Sequence, residues 1–239
     1  YTEPETGRHN LLYARTGEFR NGRFVPDDTK LQTLDFGTDF YALQTFRDGQ
    51  KTLGFAWLYN WASKKTAASV YNGEMSLPRQ FTLNSDRQLC MQPVPPPASC
   101  VIQQTHHQDA CRQGTLQLPC DALKTFSVRL QGSALTHLEL ILQGSHDGQI
   151  ALQYNEGTIT LQAIGMDDER YSAYVGELSE FELFFDAGII EVFANRGSQC
   201  GTRRYFHISD CSQISLEYNL SATVTEVALS QYRTTWGNE

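Results

Sequence analysis

No part of this chain sustains a helical apolar period over three turns. Its apolar residues come instead in short runs cut by Gly, Asp and Asn turns. That pattern restricts the fold to all-β. Phe40 to Phe46 is aromatic-rich and ends at Arg47-Asp48-Gly49-Gln50, where Asp-Gly is a strong hairpin signal. A second run covers Thr52 to Trp61. Met75 to Leu83 and Gln88 to Val94 follow, across the turn Asn84-Ser85-Asp86-Arg87. Four successive antiparallel strands with short turns make one sheet of the propeller-blade kind. Pro78 within the third run has no N–H to donate, which places it at an edge or a bulge.

The clearest boundary is Val94-Pro95-Pro96-Pro97-Ala98-Ser99, because consecutive prolines favour an extended, semi-rigid connector. It divides a blade region (1–94) from residues 100–239, with 95–99 as the linker. Beyond it lies a poorly periodic polar stretch, Gln103 to Gly114. Strand runs then recur at Phe126–Leu130, Thr136–Leu142, Gln149–Tyr154, Thr158–Ala163, Glu180–Phe185, Ile189–Ala194, Thr202–Phe206, Ile214–Tyr218 and Thr223–Tyr232. Alternation such as Leu138-Glu139-Leu140 gives each strand one buried and one solvated face, as in a β-sandwich.

Charge excludes partners more than it selects them. Lys and Arg total 19 against 27 Asp and Glu, a net −8, and no basic cluster offsets this locally. Nucleic acid is repelled on average, whereas a neutral sugar incurs no such penalty. No apolar stretch reaches the ~20 residues of a membrane span, so no membrane partner is expected. Nor does a basic start lead into an apolar segment, and the first residue is Tyr1 rather than Met, which fits processing or cleavage from a longer protein. Six cysteines without a Cys-x-x-Cys pair argue against structural zinc, and no cofactor motif is present. Their even number allows three disulfides, with Cys200 and Cys211 able to close a short loop; free buried thiols fit the composition equally. With the Asn219-Leu220-Ser221 sequon, this leans towards a secreted protein.

Three segments carry a family resemblance. Leu34-Asp35-Phe36-Gly37-Thr38-Asp39-Phe40-Tyr41-Ala42-Leu43-Gln44-Thr45-Phe46 is similar to the opening of a last propeller blade. Ala56-Trp57-Leu58-Tyr59-Asn60-Trp61 with Met75-Ser76-Leu77-Pro78-Arg79 resembles a motif pair in the same blade. Phe184-Phe185-Asp186-Ala187-Gly188-Ile189-Ile190-Glu191-Val192-Phe193-Ala194-Asn195 resembles a sandwich hairpin, followed by Thr202-Arg203-Arg204-Tyr205-Phe206. Together, in this order, they resemble the C-terminal half of the β-fructosidase family of glycoside hydrolases (invertase, levanase, inulinase). The resemblance implies the end of a five-bladed β-propeller followed by a β-sandwich. It also implies retaining cleavage of terminal β-fructofuranosides, such as sucrose, inulin or levan, by two carboxylates about 5 Å apart.

The chain departs from the family where the chemistry lies. No Trp-Met-Asn-Asp-Pro-Asn-Gly nucleophile segment, Arg-Asp-Pro triplet or Trp-Glu-Cys-Pro-Asp acid/base motif occurs, and Glu3 lacks the flanking apolar strand a catalytic carboxylate needs. No catalytic residue is therefore assigned here. The catalytic carboxylates are expected in an N-terminal propeller part, as a separate chain or a removed segment, which would be this chain's partner. The expected substrate-binding residues are Asp35, Asp39, Tyr41, Asn60 and Trp61. Trp61 offers an indole face to a furanose ring; Tyr41 and the two aspartates offer hydrogen-bonding groups to sugar hydroxyls. Trp57 reads as core packing, Glu191 as structural, and Arg203 and Arg204 as a strand with one solvated face. His106, His107 and Asp109 read as a polar loop, since adjacent strand histidines face opposite ways. The alternatives are a fructosyltransferase on the same scaffold and a non-catalytic carbohydrate-binding or structural β-sandwich, although Trp236 is the sole tryptophan of the sandwich region.

Overall fold

The structure, a computed structural model, describes residues 11–61, 71–109, 113–146, 148–164, 170–206, 208–220 and 225–233. Glu3, Cys111, Asp147, Ser221 and Trp236 lie outside them. The first strands are β1 (Tyr13–Ala14), β2 (Gly17–Arg20), β3 (Arg23–Pro26) and β4 (Gln32–Thr33). β1 pairs with β4, and β2 forms a hairpin with β3.

The blade comprises β5 (Phe40–Asp48), β6 (Lys51–Leu58), β7 (Glu74–Met75), β8 (Arg79–Leu83) and β9 (Leu89–Pro93). Its strands run β5-β6-β8-β9, with β7 also on β6, all antiparallel. The run expected from Met75 to Leu83 is broken at Pro78 into β7 and β8. The strand expected to reach Trp61 ends at Leu58. β5 carries a bulge between Tyr41 and Gln44, where Ala42 takes φ 50°, and a bulge re-aims the side chains around it.

After a 3-10 turn at Ala98–Cys100 come β10 (Val101–Asp109), β11 (Gln113–Leu123), β12 (Thr125–Gly144), β13 (Gln149–Asn155), β14 (Thr158–Ile164), β15 (Arg170–Tyr174), β16 (Leu178–Asp186), β17 (Ile189–Ala194), β18 (Gln199–Arg204), β19 (Cys211–Leu220) and β20 (Thr225–Tyr232). The long strand β12 belongs to both layers of the sandwich. Residues 125–132 pair with β16 and β20, so one layer runs β10-β20-β12-β16-β17-β18. Residues 135–144 pair with β13 and β19, so the other runs β11-β19-β12-β13-β14-β15. The crossover is a register break between Gln131 and Leu135, with Ala134 at φ 47°. What reads in sequence as two strands, Phe126–Leu130 and Thr136–Leu142, is thus one strand turning a corner.

The inner faces meet in a core that includes Val128, Leu130, Leu138, Leu140, Phe181 and Phe185. A second apolar cluster joins the blade to the sandwich: Leu34, Phe40, Ala56, Leu58 and Met91 pack on Phe184, Phe193 and Cys200. Two further expectations change. The polar stretch Gln103–Gly114, including His106, His107 and Asp109, lies mostly in β10 and enters β11. Among the described residues β10 pairs with β20 alone, as an edge strand, so its apolar signal is weak. Arg170–Tyr174 adds the edge strand β15, which sequence pattern alone did not mark.

Candidate functional site

Trp57, Tyr59 and Trp61 sit two residues apart along an extended segment, so their side chains share one face. Tyr59 stacks on Trp57 with ring centroids 4.3 Å apart, and Trp61 meets Tyr59 edge-on at 4.8 Å. Tyr41, on the neighbouring strand opposite Trp57, extends the row at 6.5 Å. Gly73 lies against the indole of Trp57, where a Cβ would collide with the ring nitrogen. The row runs from buried to open: Tyr59 is buried, Tyr41 and Trp57 are intermediate, and Trp61 is 55% exposed. Trp61 is therefore a supported, solvent-facing indole, which is what an apolar sugar face needs.

Beneath this row lies a buried polar cluster between blade and sandwich. Arg79, 0% exposed, donates from Nη2 to Glu191 Oε2 at 2.8 Å and Thr202 Oγ1 at 2.6 Å, and from Nη1 to Asp35 Oδ2 at 3.3 Å. Its guanidinium carbon lies 3.8 Å from the centre of the Phe40 ring. Asp35 accepts from the Gly37 N–H, the Thr202 N–H and the Thr202 hydroxyl at 2.6 to 2.8 Å. Glu191 also accepts from the Leu77 N–H at 2.7 Å. A second knot joins Asp39 to Arg203 Nη1 at 3.2 Å and the Arg204 N–H at 2.8 Å. Arg204 reaches Glu74 at 3.3 Å and lies 5.4 Å from the Tyr59 ring, which links this knot to the aromatic row.

These contacts need close backbone approach. A Cβ on Gly37 would collide with the backbone of Thr202, and one on Gly201 with the ring of Phe36. Glycine at both positions lets the Asp35–Asp39 loop lie directly on β18. Burial pushes the Asp39 and Glu191 carboxyls above the ordinary range, and the facing arginines oppose the shift.

The expected sugar contacts therefore separate. Asp35 and Asp39 are 3% and 1% exposed, and protein donors occupy both oxygens of each. They fasten blade to sandwich, Asp35 through Arg79 and Thr202 and Asp39 through Arg203 and Arg204. Asn60 is buried too, donating to Thr38 Oγ1 at 3.3 Å beside Asp39. Tyr41 and Trp61 remain at the surface. Arg203 and Arg204, expected on a half-solvated strand, are both buried, because each meets blade residues. Arg79 and Thr202 stand in the resembling segments, but neither they nor Glu74 are marked by sequence as interface residues. The signal was there in Met-Ser-Leu-Pro-Arg, whose arginine stands among apolar residues.

Cys200 forms no bridge with Cys211. It is a free buried thiol donating to the Met91 carbonyl at 3.4 Å, and burial pushes it up to about 12. Among the described residues no group of three or more His, Cys, Asp or Glu side chains is arranged to hold a metal ion.

Comparison with known proteins places this arrangement. Residues 3–93 match the glycosyl hydrolases family 32 N-terminal domain, and residues 99–232, more than half of the chain, match the glycosyl hydrolases family 32 C-terminal model. The chain belongs to glycosyl hydrolase family 32.

The family-32 chain is 41% identical over 73 residues to an extracellular exo-inulinase of Meyerozyma guilliermondii, covering 29% of this chain and 14% of that protein. It is 28% identical over 199 residues to a sucrose-6-phosphate hydrolase of Bacillus subtilis, covering 79% and 39%. A β-fructofuranosidase of Schwanniomyces occidentalis, solved with fructosyl-erythritol, superposes with a TM-score of 0.75 at 20% identity, over 93% of this chain and 53% of that one. The family-32 chain thus spans about half of that solved structure and less of the two sequence relatives. Its fold is the end of a β-propeller followed by a β-sandwich.

Proposed function

We propose that this chain is the C-terminal part of an enzyme that cleaves terminal β-fructofuranosides by retaining double displacement. Residues 1–94 close its propeller, 95–99 connect, and 100–239 form the sandwich. The nucleophile and acid/base carboxylates come from an N-terminal propeller part outside this chain. The observation that carries the reading is Trp61: an exposed indole, edge-packed on Tyr59, at the end of an aromatic row fixed by Arg204 of the sandwich. Trp61 and Tyr41 contribute contact area and a hydroxyl to the sugar site. Asp35, Asp39 and Asn60 act behind them by holding the blade in place.

Relatives support the substrate class, since they include an exo-inulinase and a yeast invertase. Solved neighbours carry fructose and fructosylnystose. The extracellular exo-inulinase supports action outside the cytoplasm. Among the described residues no helix is long and apolar enough to cross a membrane.

Fructose release tests the reading. The pure 239-residue chain is expected to release none from sucrose, inulin or levan, whereas the chain refolded with its N-terminal propeller part releases it. Turnover by the chain alone, or none by the reassembled protein, would overturn the assignment.

A further inference from the structure

The sandwich layer nearest the blade is only half covered. Glu191, Phe193, Cys200 and Thr202 lie under the blade, but the same sheet face continues across β16, β12, β20 and β10. In register, Phe193 stands opposite Glu182, Glu182 opposite Arg129, Arg129 opposite Ala228, and Ala228 opposite His106. The intervening residues Leu183, Val128 and Leu229 point into the core, so the polar character belongs to the outer face alone. Two depressions of about 320 and 450 Å³ open on this face and share Pro95, Arg129 and Glu182 in their walls. They adjoin as one groove, flanked by the proline connector.

Most charges in this groove are already matched. Arg129 pairs with Glu180 at 2.9 Å, Arg196 reaches Glu180 at 3.7 Å, and His106 meets Glu226 at 2.9 Å. Glu182, at the join of the two depressions, makes no hydrogen bond or ion pair among the described residues. Burial pushes its carboxyl up, opposed by Arg129. A partly desolvated carboxylate without a donor is costly, and a ligand hydroxyl would supply the missing donor. A cationic ligand would meet Arg129 and Arg196, and an anionic one Glu180, Glu182 and Glu226. A neutral polyhydroxyl ligand can use both signs, donating to the carboxylate and accepting from the guanidinium. Tyr232, whose hydroxyl is 2.9 Å from Ser127, and Pro95 add apolar contact for a sugar ring.

We propose that this groove is a second saccharide site, on the sandwich and apart from Trp61, that binds a neutral oligosaccharide through Glu182 and Arg129. It does not depend on the hydrolase reading, because binding here needs no turnover.

Calorimetric and NMR titration of the 239-residue chain with an inulin-type fructo-oligosaccharide, with maltoheptaose and with a lysine-rich peptide tests it. One of the two oligosaccharides is expected to bind saturably. Glu182→Ala should weaken it about tenfold, as expected for loss of a hydrogen bond to a charged group, and Trp61→Ala should leave it unchanged. Should Glu182→Ala fail to fold, amide shifts of the unaltered chain at 104, 129 and 182 on titration decide the matter. Binding of neither oligosaccharide, loss with Trp61→Ala instead, shifts elsewhere, or preference for the lysine-rich peptide would overturn the proposal. Fructose release by the reassembled enzyme is scored separately, so failure here leaves that reading standing.

Discussion

Arg79 on the blade and Glu191 on the sandwich meet at 2.8 Å with their side chains 0% and 4% exposed. The pair joins two of the segments on which the family resemblance rests, and Asp35 from the remaining one closes the cluster at 3.3 Å. The residues by which the chain is recognised are thus, in large part, those that fix one sheet to the other.

Breaking that cluster from one side strands buried charge. Arg79→Met leaves Asp35 and Glu191 without their cation and should cost about 3–5 kcal/mol, while Glu191→Gln, which retains a polar partner, should cost less. The doubly substituted Arg79→Met, Glu191→Gln protein should lose less than the sum of the two single effects, because the pair acts as a unit. Urea unfolding of the four proteins measures this. Additive losses below about 1 kcal/mol each would show the cluster to be incidental.

Close backbone approach gives a second expectation. Gly37→Ala places a methyl group into the backbone of Thr202 and should destabilise by about 1–3 kcal/mol through overpacking. Gly144→Ala is the comparison, since its nearest contact is 3.2 Å, and it should lose less. Thermal unfolding midpoints distinguish the two.

The buried Cys200 thiol makes stability fall in alkali. Its folded value of about 12 lies above the 9.0 of a solvated thiol, so the folded state holds its proton where the unfolded state has released it. The contribution is full below about pH 9 and is lost as pH rises towards 12. Denaturant midpoints across that range should fall less steeply in Cys200→Ala. At pH 8 the native protein should alkylate at the partly exposed Cys100 before Cys200, and mass mapping of the labelled sites checks the order.

The fold class and the blade hairpin at Asp48-Gly49 were legible in sequence, because turn residues and period-2 runs act locally. The corner in β12 was not, because a strand that serves two layers keeps its apolar period on both sides of the break. The polar fastenings were missed for a related reason. An aspartate in Asp-x-Gly-x-Asp reads alike whether it faces a sugar or an arginine more than a hundred residues away, and only the docking of β18 on the blade decides. Arg204, which lies 5.4 Å from the Tyr59 ring behind the aromatic row, looked in sequence like surface charge.

Trp61→Ala in the reassembled enzyme tests the central claim most directly. The indole is exposed, so the thermal midpoint should stay within a degree or two of the parent. KM for sucrose should rise, and kcat/KM should fall by about tenfold or more, the loss expected from one aromatic sugar contact. Unchanged kinetics at unchanged stability would contradict the account, because Trp61 would then touch no substrate.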